Sequence, residues 1–319
     1  MKLAAFLFWS VLGWMGASAP LFGQTVEFTQ VQVLTNQELR LVLNAPLNQH
    51  YRLETSVDLA SWVPLVTARA GTLNEHIDSA APFRPTRYYR AVQLAETNGL
   101  TGDHFPTGAG DVVVHPVNHA GLVLGWNGLV IYNDPSDGSY QGMPKADLVL
   151  LSHTHGDHFN AATLGAVSKA ETRVIAPQAV FNSLSASFRA RASVLTNGGV
   201  TEVLGVRVEA VPAYNANHPR GTGNGYVVTL GGRRFYFSGD TGNTPEMRAL
   251  TGIDAAFLCM NQPFTMTVSD ATNAVWAFRP AVVYPYHYRD QSGSQANAAA
   301  FKQRLGLAPG VEVRLRRWY

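Results

Sequence analysis

The stretch Ser152-His153-Thr154-His155-Gly156-Asp157-His158 constrains this chain more than any other part of it. Three imidazoles and a carboxylate are packed together in the order His-x-His-x-Asp-His. The apolar run Ala146-Asp147-Leu148-Val149-Leu150-Leu151 ahead of them reads as a buried strand that delivers the cluster to a sheet edge. Groups of this kind are costly to bury unless something positive binds them, so the chain reads as a metalloenzyme. Alternate residues at a strand end project to the same side, which lets His153 and His155 reach one ion together. Gly156 permits a sharp turn. Asp157 and His158 are then expected at the start of the following helix, facing a second ion. A single ion does not need all of these donors, and the spacing favours a pair of cations close together.

Further donors are expected at other strand ends. Asp240, in Ser238-Gly239-Asp240-Thr241-Gly242, follows the strand 234–237 and is placed to bridge two cations. His287 follows the strand 281–284, and His218, in Asn215-Ala216-Asn217-His218, follows the strand 206–211. Loops gathered at one sheet edge are where such sandwiches place their reactive groups.

The His153-x-His155-x-Asp157-His158 run, with Asp240 in Gly-Asp-Thr-Gly and His287, resembles the metallo-β-lactamase fold superfamily. Met260-Asn-Gln-Pro-Phe-Thr-Met-Thr267 and Val283-Tyr-Pro-Tyr-His-Tyr-Arg289 are similar to its lactonase-like and phospholipase D-like metallo-hydrolase branch. The resemblance covers about 108–316 and implies an α/β fold, a four-layer αββα sandwich. It implies that His153, His155 and a third histidine hold one ion. Asp157, His158 and His287 would hold the other, with Asp240 between them. For the third histidine the position expected by resemblance holds Tyr214 and Asn215. His218, slightly later, is the candidate, with Asn215 as an alternative oxygen donor or a supporting group. Asp134, in Tyr132-Asn133-Asp134-Pro135, resembles an early aspartate that orients a ligand histidine. His119 is considered for the pocket but not as a ligand. Tyr214, Tyr286, Tyr288 and Arg289 flank the proposed ligands, where they either bind a substrate oxyanion or pack the wall.

The rest of the chain is organised around this domain. Lys2, the apolar stretch from Leu3 to about Met15 and the small residues 16–19 read as an export signal over 1–23, and hence as periplasmic or secreted localisation. Residues 25–95 contain short alternating segments separated by turn residues, the pattern of a small all-β sandwich. Tyr51–Trp62 with Tyr88-Tyr89-Arg90 resembles β-sandwich modules that accompany exported bacterial enzymes. A polar linker is expected over 96–107 and the hydrolase-like domain over 108–319. Within that domain, helices are expected over 163–169, 178–187, 270–278 and 294–305. Hydrophobic residues make up 46% of the chain and charged residues 14%, enough apolar material for a real core. The formal charge of +2, with no basic block, disfavours nucleic acid as a partner. No later segment is long and apolar enough to span a bilayer, so no stable membrane insertion is expected after signal cleavage. Cys259 stands alone in an apolar run and reads as a core residue.

The cofactor expected is two divalent ions, zinc by ligand preference, with manganese or iron also compatible. The function expected is hydrolysis of a small-molecule ester, lactone or phosphoester by a water that the cation pair acidifies, with Asp157 orienting it or carrying its proton. The alternatives are a phosphodiesterase acting on phospholipid-like substrates, and a binding protein with a vestigial metal site.

Overall fold

A computed structural model describes residues 26–71, 74–94, 100–290, 292–306 and 310–318. The stretch read as an export signal lies outside the described residues. The chain divides into two compact units, Met1–Pro106 and Thr107–Tyr319.

The first unit contains β1 (Glu27–Val33), β2 (Leu39–Asn44), β3 (His50–Ser56), β4 (Val63–Arg69), β5 (Asn74–Asp78), β6 (Tyr88–Leu94) and β7 (Gly102–Phe105). β1, β2 and β5 pair in that order; β6, β3, β4 and β7 form a second antiparallel arrangement. Alternation explains the interior. Leu39, Leu41 and Leu43 of β2 turn inward and pack with Tyr51, Leu53, Tyr89 and Ala91, while the residues between them face outward. Strand β7 falls inside the stretch read as linker. Its polar sequence, Gly-Asp-His-Phe, concealed a strand that buries only Asp103 and Phe105.

The second unit is built on two sheets. The first takes β8 (Val112–Asn118), β9 (Gly121–Trp126), β10 (Leu129–Asn133), β11 (Ala146–Leu150), β12 (Ser168–Ala176) and β13 (Ala192–Val194) in sequential order. The second takes β14 (Val200–Val203), β15 (Val206–Ala213), β16 (Gly223–Leu230), β17 (Arg233–Phe237), β18 (Ala255–Cys259), β19 (Val282–Tyr286) and β20 (Glu312–Val313), again in order. Each sheet begins antiparallel and turns parallel, at β10–β11 in one and at β17–β18 in the other. Helices α1 (Ala161–Val167), α2 (Gln178–Ser183) and α3 (Ala186–Arg189) accompany the first sheet; α4 (Pro245–Arg248), α5 (Val268–Phe278) and α6 (Ala298–Leu305) accompany the second. The result is the α/β sandwich that the sequence suggested. Strands β18 and β19 are buried at every position, as parallel strands covered on both faces must be. The sheets are tied together beside the His-x-His run. The Tyr226 hydroxyl donates to the Leu151 carbonyl (2.8 Å), and the Asn224 N–H donates to the Ser152 carbonyl (3.0 Å).

Several elements differ from the sequence reading for local reasons. The helix expected over 178–187 is two short helices, because Ser185 caps a new N-terminus by accepting from the Phe188 N–H. The closing helix begins at Ala298 rather than Ser294, since the Asp290 carboxylate captures the N–H groups of Ser292 and Ser294. Strand β12 starts at Ser168, directly after α1, where Thr172 accepts from the Lys169 N–H and donates to the Ala146 carbonyl. The turn between β16 and β17 is built on Gly231 and Gly232, with φ of 55° and 83°.

Candidate metal centre

The candidate ligands arrive from strand ends of both sheets. His153, His155, Asp157 and His158 follow β11; His218 follows β15; Asp240 follows β17; His287 follows β19. Asp157 and His158 do not open a helix, as the spacing had suggested. They lie in a tight turn in which the N–H groups of His158 and Phe159 both donate to the His155 carbonyl (3.0 and 2.9 Å). Helix α1 begins only after Asn160, whose side chain accepts from Ala162 and Thr163.

The structure brings all seven residues to one place: His153, His155, His218 and Asp240 form one group, His158, His287 and Asp240 a second, and Asp157 joins His287 and His119 in a third beside it. In the first, His155 Nδ1 lies 3.1 Å from His153 Nε2 and 3.3 Å from His218 Nε2. Asp240 Oδ2 lies 3.9 Å from His153 Nε2 and 3.4 Å from His218 Nε2. In the second, His158 Nε2 and His287 Nε2 are 3.0 Å apart, and each is 3.2 Å from Asp240 Oδ1. Asp157 Oδ2 lies 3.4 Å from His287 Nε2 and 3.8 Å from His158 Nε2. Each oxygen of Asp240 therefore faces a different set of imidazoles. Oδ1 is buried and receives no well-directed hydrogen bond. A buried carboxylate oxygen left among converging imidazole nitrogens is a poor arrangement for protons and a good one for a cation. The donor set fits divalent metal.

The nitrogens turned away from these groups have their own partners. Asp134 Oδ2 accepts from His158 Nδ1 (2.8 Å) and from the Ser152 hydroxyl (2.6 Å), while its Oδ1 accepts the Ser152 N–H (2.7 Å). Ser152 Oγ in turn sits 3.0 Å from His153 Nδ1. His218 Nδ1 is 3.0 Å from Asn215 Oδ1, which also accepts the His218 N–H. The sequence left His218 and Asn215 as alternatives. In the structure they act in series, with the imidazole facing the site and the amide behind it. Such partners fix ring orientation and tautomer.

Burial, then the neighbouring His158, holds the His153 imidazole well below its ordinary pKa, and burial likewise lowers His218. Burial alone would also depress His158, but the carboxylates of Asp240 and Asp134 outweigh it and raise this group well above its usual value. Burial opposes ionisation of Asp240, yet His287 and His158 hold its carboxyl far below the usual range. The Asp157 carboxyl is depressed too: burial works against it, and hydrogen bonds from His119 and His287 prevail.

Four other residues deserve placement. His119, not counted as a ligand from sequence, sits with Nε2 3.1 Å from Asp157 Oδ2 and its ring 3.7 Å from that of His287. It directly follows β8, in the β8–β9 turn, and no spacing signal marked it because Asn118-His119-Ala120 carries no adjacent imidazole or carboxylate. Tyr286 is wholly buried and its hydroxyl accepts the Gly239 N–H (3.0 Å), so it supports the Asp240 loop. The Tyr214 hydroxyl donates to Glu246 (3.0 Å), with Arg220 over its ring. Arg289 lines the cavity that opens over the ligands. That cavity, of about 700 Å³, is also walled by Asp137, Asn217, Asn261, Phe264 and Asp290.

A family model for the beta-lactamase superfamily domain matches residues 114–287, more than half of the chain. The chain belongs to the metallo-β-lactamase superfamily. A UPF0173 metal-dependent hydrolase of Pyrococcus abyssi is 30% identical over 226 residues, covering 64% of this chain and 100% of the relative. A UPF0173 metal-dependent hydrolase of Thermus thermophilus is 33% identical over 189 residues, covering 54% of this chain and 83% of the relative. Among solved structures, a protein described as a metal-dependent hydrolase from Parabacteroides distasonis superposes with a TM-score of 0.61 at 38% identity. It covers 67% of this chain and 97% of its own. The chain is thus a metal-dependent hydrolase, and a binding-only role is set aside.

Proposed function

We propose that this metallo-β-lactamase superfamily member holds two divalent cations, zinc by ligand preference, and hydrolyses a small carboxylic ester or lactone. The observation that carries the reading is the Asp240 carboxylate, whose two oxygens are directed to two separate imidazole sets. His153, His155 and His218 would hold one ion, and Asp157, His158 and His287 the other. Cations bound there would acidify a water and neutralise charge developing on an attacked carbonyl oxygen. Asp157 is the partly exposed carboxylate of the set, with 32% of its side chain accessible, and it lines the cavity. Held ionised, it has no proton to give at neutral pH, and so low a pKa makes it a weak base that orients water by accepting a hydrogen bond.

A cavity of about 700 Å³ suits a small molecule rather than a polymer. Phe264, 41% exposed, offers an apolar wall. Outside the ligands, one arginine, Arg289, is set against Asp137 and Asp290. A phospholipid-like phosphodiester would call for a more cationic groove, so the carbonyl substrate is preferred. Arg289 is the feature that keeps phosphoesters as the second reading.

Turnover should be lost in His155→Ala and in Asp240→Ala. Rates on panels of lactones, carboxylic esters and β-lactams, set beside bis(p-nitrophenyl) phosphate, separate the two substrate readings. Full activity of both variants would remove the proposal. Export to the periplasm or beyond is part of it, resting on the apolar segment after Lys2. Fractionation of expressing cells, with N-terminal sequencing of the mature protein, tests it.

A further inference from the structure

Three of the candidate ligand imidazoles are steered at the nitrogen that faces away from the site. His158 has Asp134, His153 has Ser152 and His218 has Asn215. His287 has no such partner. Its Nδ1 is buried without a hydrogen bond, and its backbone sits at φ 45°, in the left-handed region. What does hold it is His119. The His287 N–H donates to the His119 carbonyl (3.1 Å), and the two rings lie 3.7 Å apart, tilted by 38°. The same His119 ring reaches Asp157 Oδ2 through Nε2 at 3.1 Å. His119 is itself buried, with φ of 55°.

We infer that His119 is a positioning residue for one cation of the pair: it orients His287 by ring contact and by its carbonyl, and Asp157 by hydrogen bonding, without ligating the ion. Proximity does not decide its role, since the donor atoms of His119, Asp157 and His287 lie within 4.8 Å of one another. Nε2–H donating to the carboxylate, with the ring against that of His287, uses both contacts at once. Its consequence is asymmetric. The contacts of His119 run to Asp157 and His287 and, with ring centroids 6.4 Å apart, to His158, all of them groups assigned to one ion. Its loss should therefore loosen one ion and spare the other. The inference rests on the two-cation reading above.

The test uses the full-length, zinc-loaded protein, equilibrated against increasing concentrations of a competing chelator, with ions retained per chain read by elemental analysis. Wild type should release zinc in two steps. His119→Ala should lose one ion at an affinity about 10- to 100-fold weaker and keep the other unchanged. His119→Gln restores a donor to Asp157 and His119→Phe restores a ring against His287, so each should recover part of the loss. The inference is overturned if His119→Ala retains both ions like wild type or weakens both equally. It is overturned too if neither Gln nor Phe recovers anything, which would make the imidazole itself a ligand. A wild type that releases zinc in a single step defeats the two-cation reading, and this inference with it.

Discussion

Asp134 contributes no atom to the two ligand groups, yet three groups beside them depend on it. It is fully buried and accepts from Ser152 twice and from His158 once. Replacing it with Asn removes the charge and sets an amide donor or a weaker acceptor against His158. Asp134→Asn should weaken retention of the His158-bound ion by about 10- to 100-fold, measured by chelator competition; unchanged retention would show that His158 needs no such support. His158 also carries the pH prediction. In the metal-free protein the carboxylates of Asp240 and Asp134 outweigh burial and raise its pKa, which favours the protonated ring. A cation taking Nε2 must displace that proton, so binding releases protons and weakens as the pH falls. Titration calorimetry in buffers of different ionisation enthalpy should show net proton release on zinc uptake near pH 7; a buffer-independent heat would contradict it. At this scale the sequence was legible where donors are contiguous, as over 153–158. It was ambiguous at His218 and Asn215, which are close enough in sequence that either could face the site. It underrated His119, whose partners, Asp157 and His287, are remote in sequence.

The elements act as holders. Asp240 stands after a strand because Gly239 turns the chain at φ 58°, and a Cβ there would meet the Asn224 carbonyl at 2.8 Å. Gly239→Ala should destabilise the protein by about 1–2 kcal/mol from backbone strain alone, with more from the collision, and lower the melting temperature. An unchanged thermal transition would show that this turn is not constrained as described. Strands such as β18 and β19 were legible because continuous apolar runs have few other uses. Helix limits were not, because they depend on single capping contacts. Ser185 divides one expected helix, and Asn297 starts another later than its apolar pattern suggests. Tyr286 shows the same limit on the side-chain level: its position beside His287 fitted either substrate binding or support, and only burial of its hydroxyl against Gly239 decided.

On the scale of the whole molecule, the described metal-ligand candidates and the cavity lining all belong to Thr107–Tyr319. The β-rich unit before it has its own core around Leu41 and Leu53. The sandwich was readable from sequence because one compact motif and its partners at later strand ends imply two sheets meeting at an edge. The strand β7 was not, since a short polar segment carries little periodic signal. Among the described residues no helix is long and apolar enough to cross a membrane. The unifying claim is that Asp240 stands between two cations, each caged by its own imidazoles. Crystals of the metal-loaded protein, measured on either side of the metal's absorption edge, test it most directly. Two anomalous peaks should flank Asp240, one beside His153, His155 and His218, the other beside His158 and His287. A single peak, or none within bonding distance of Asp240, would contradict the account.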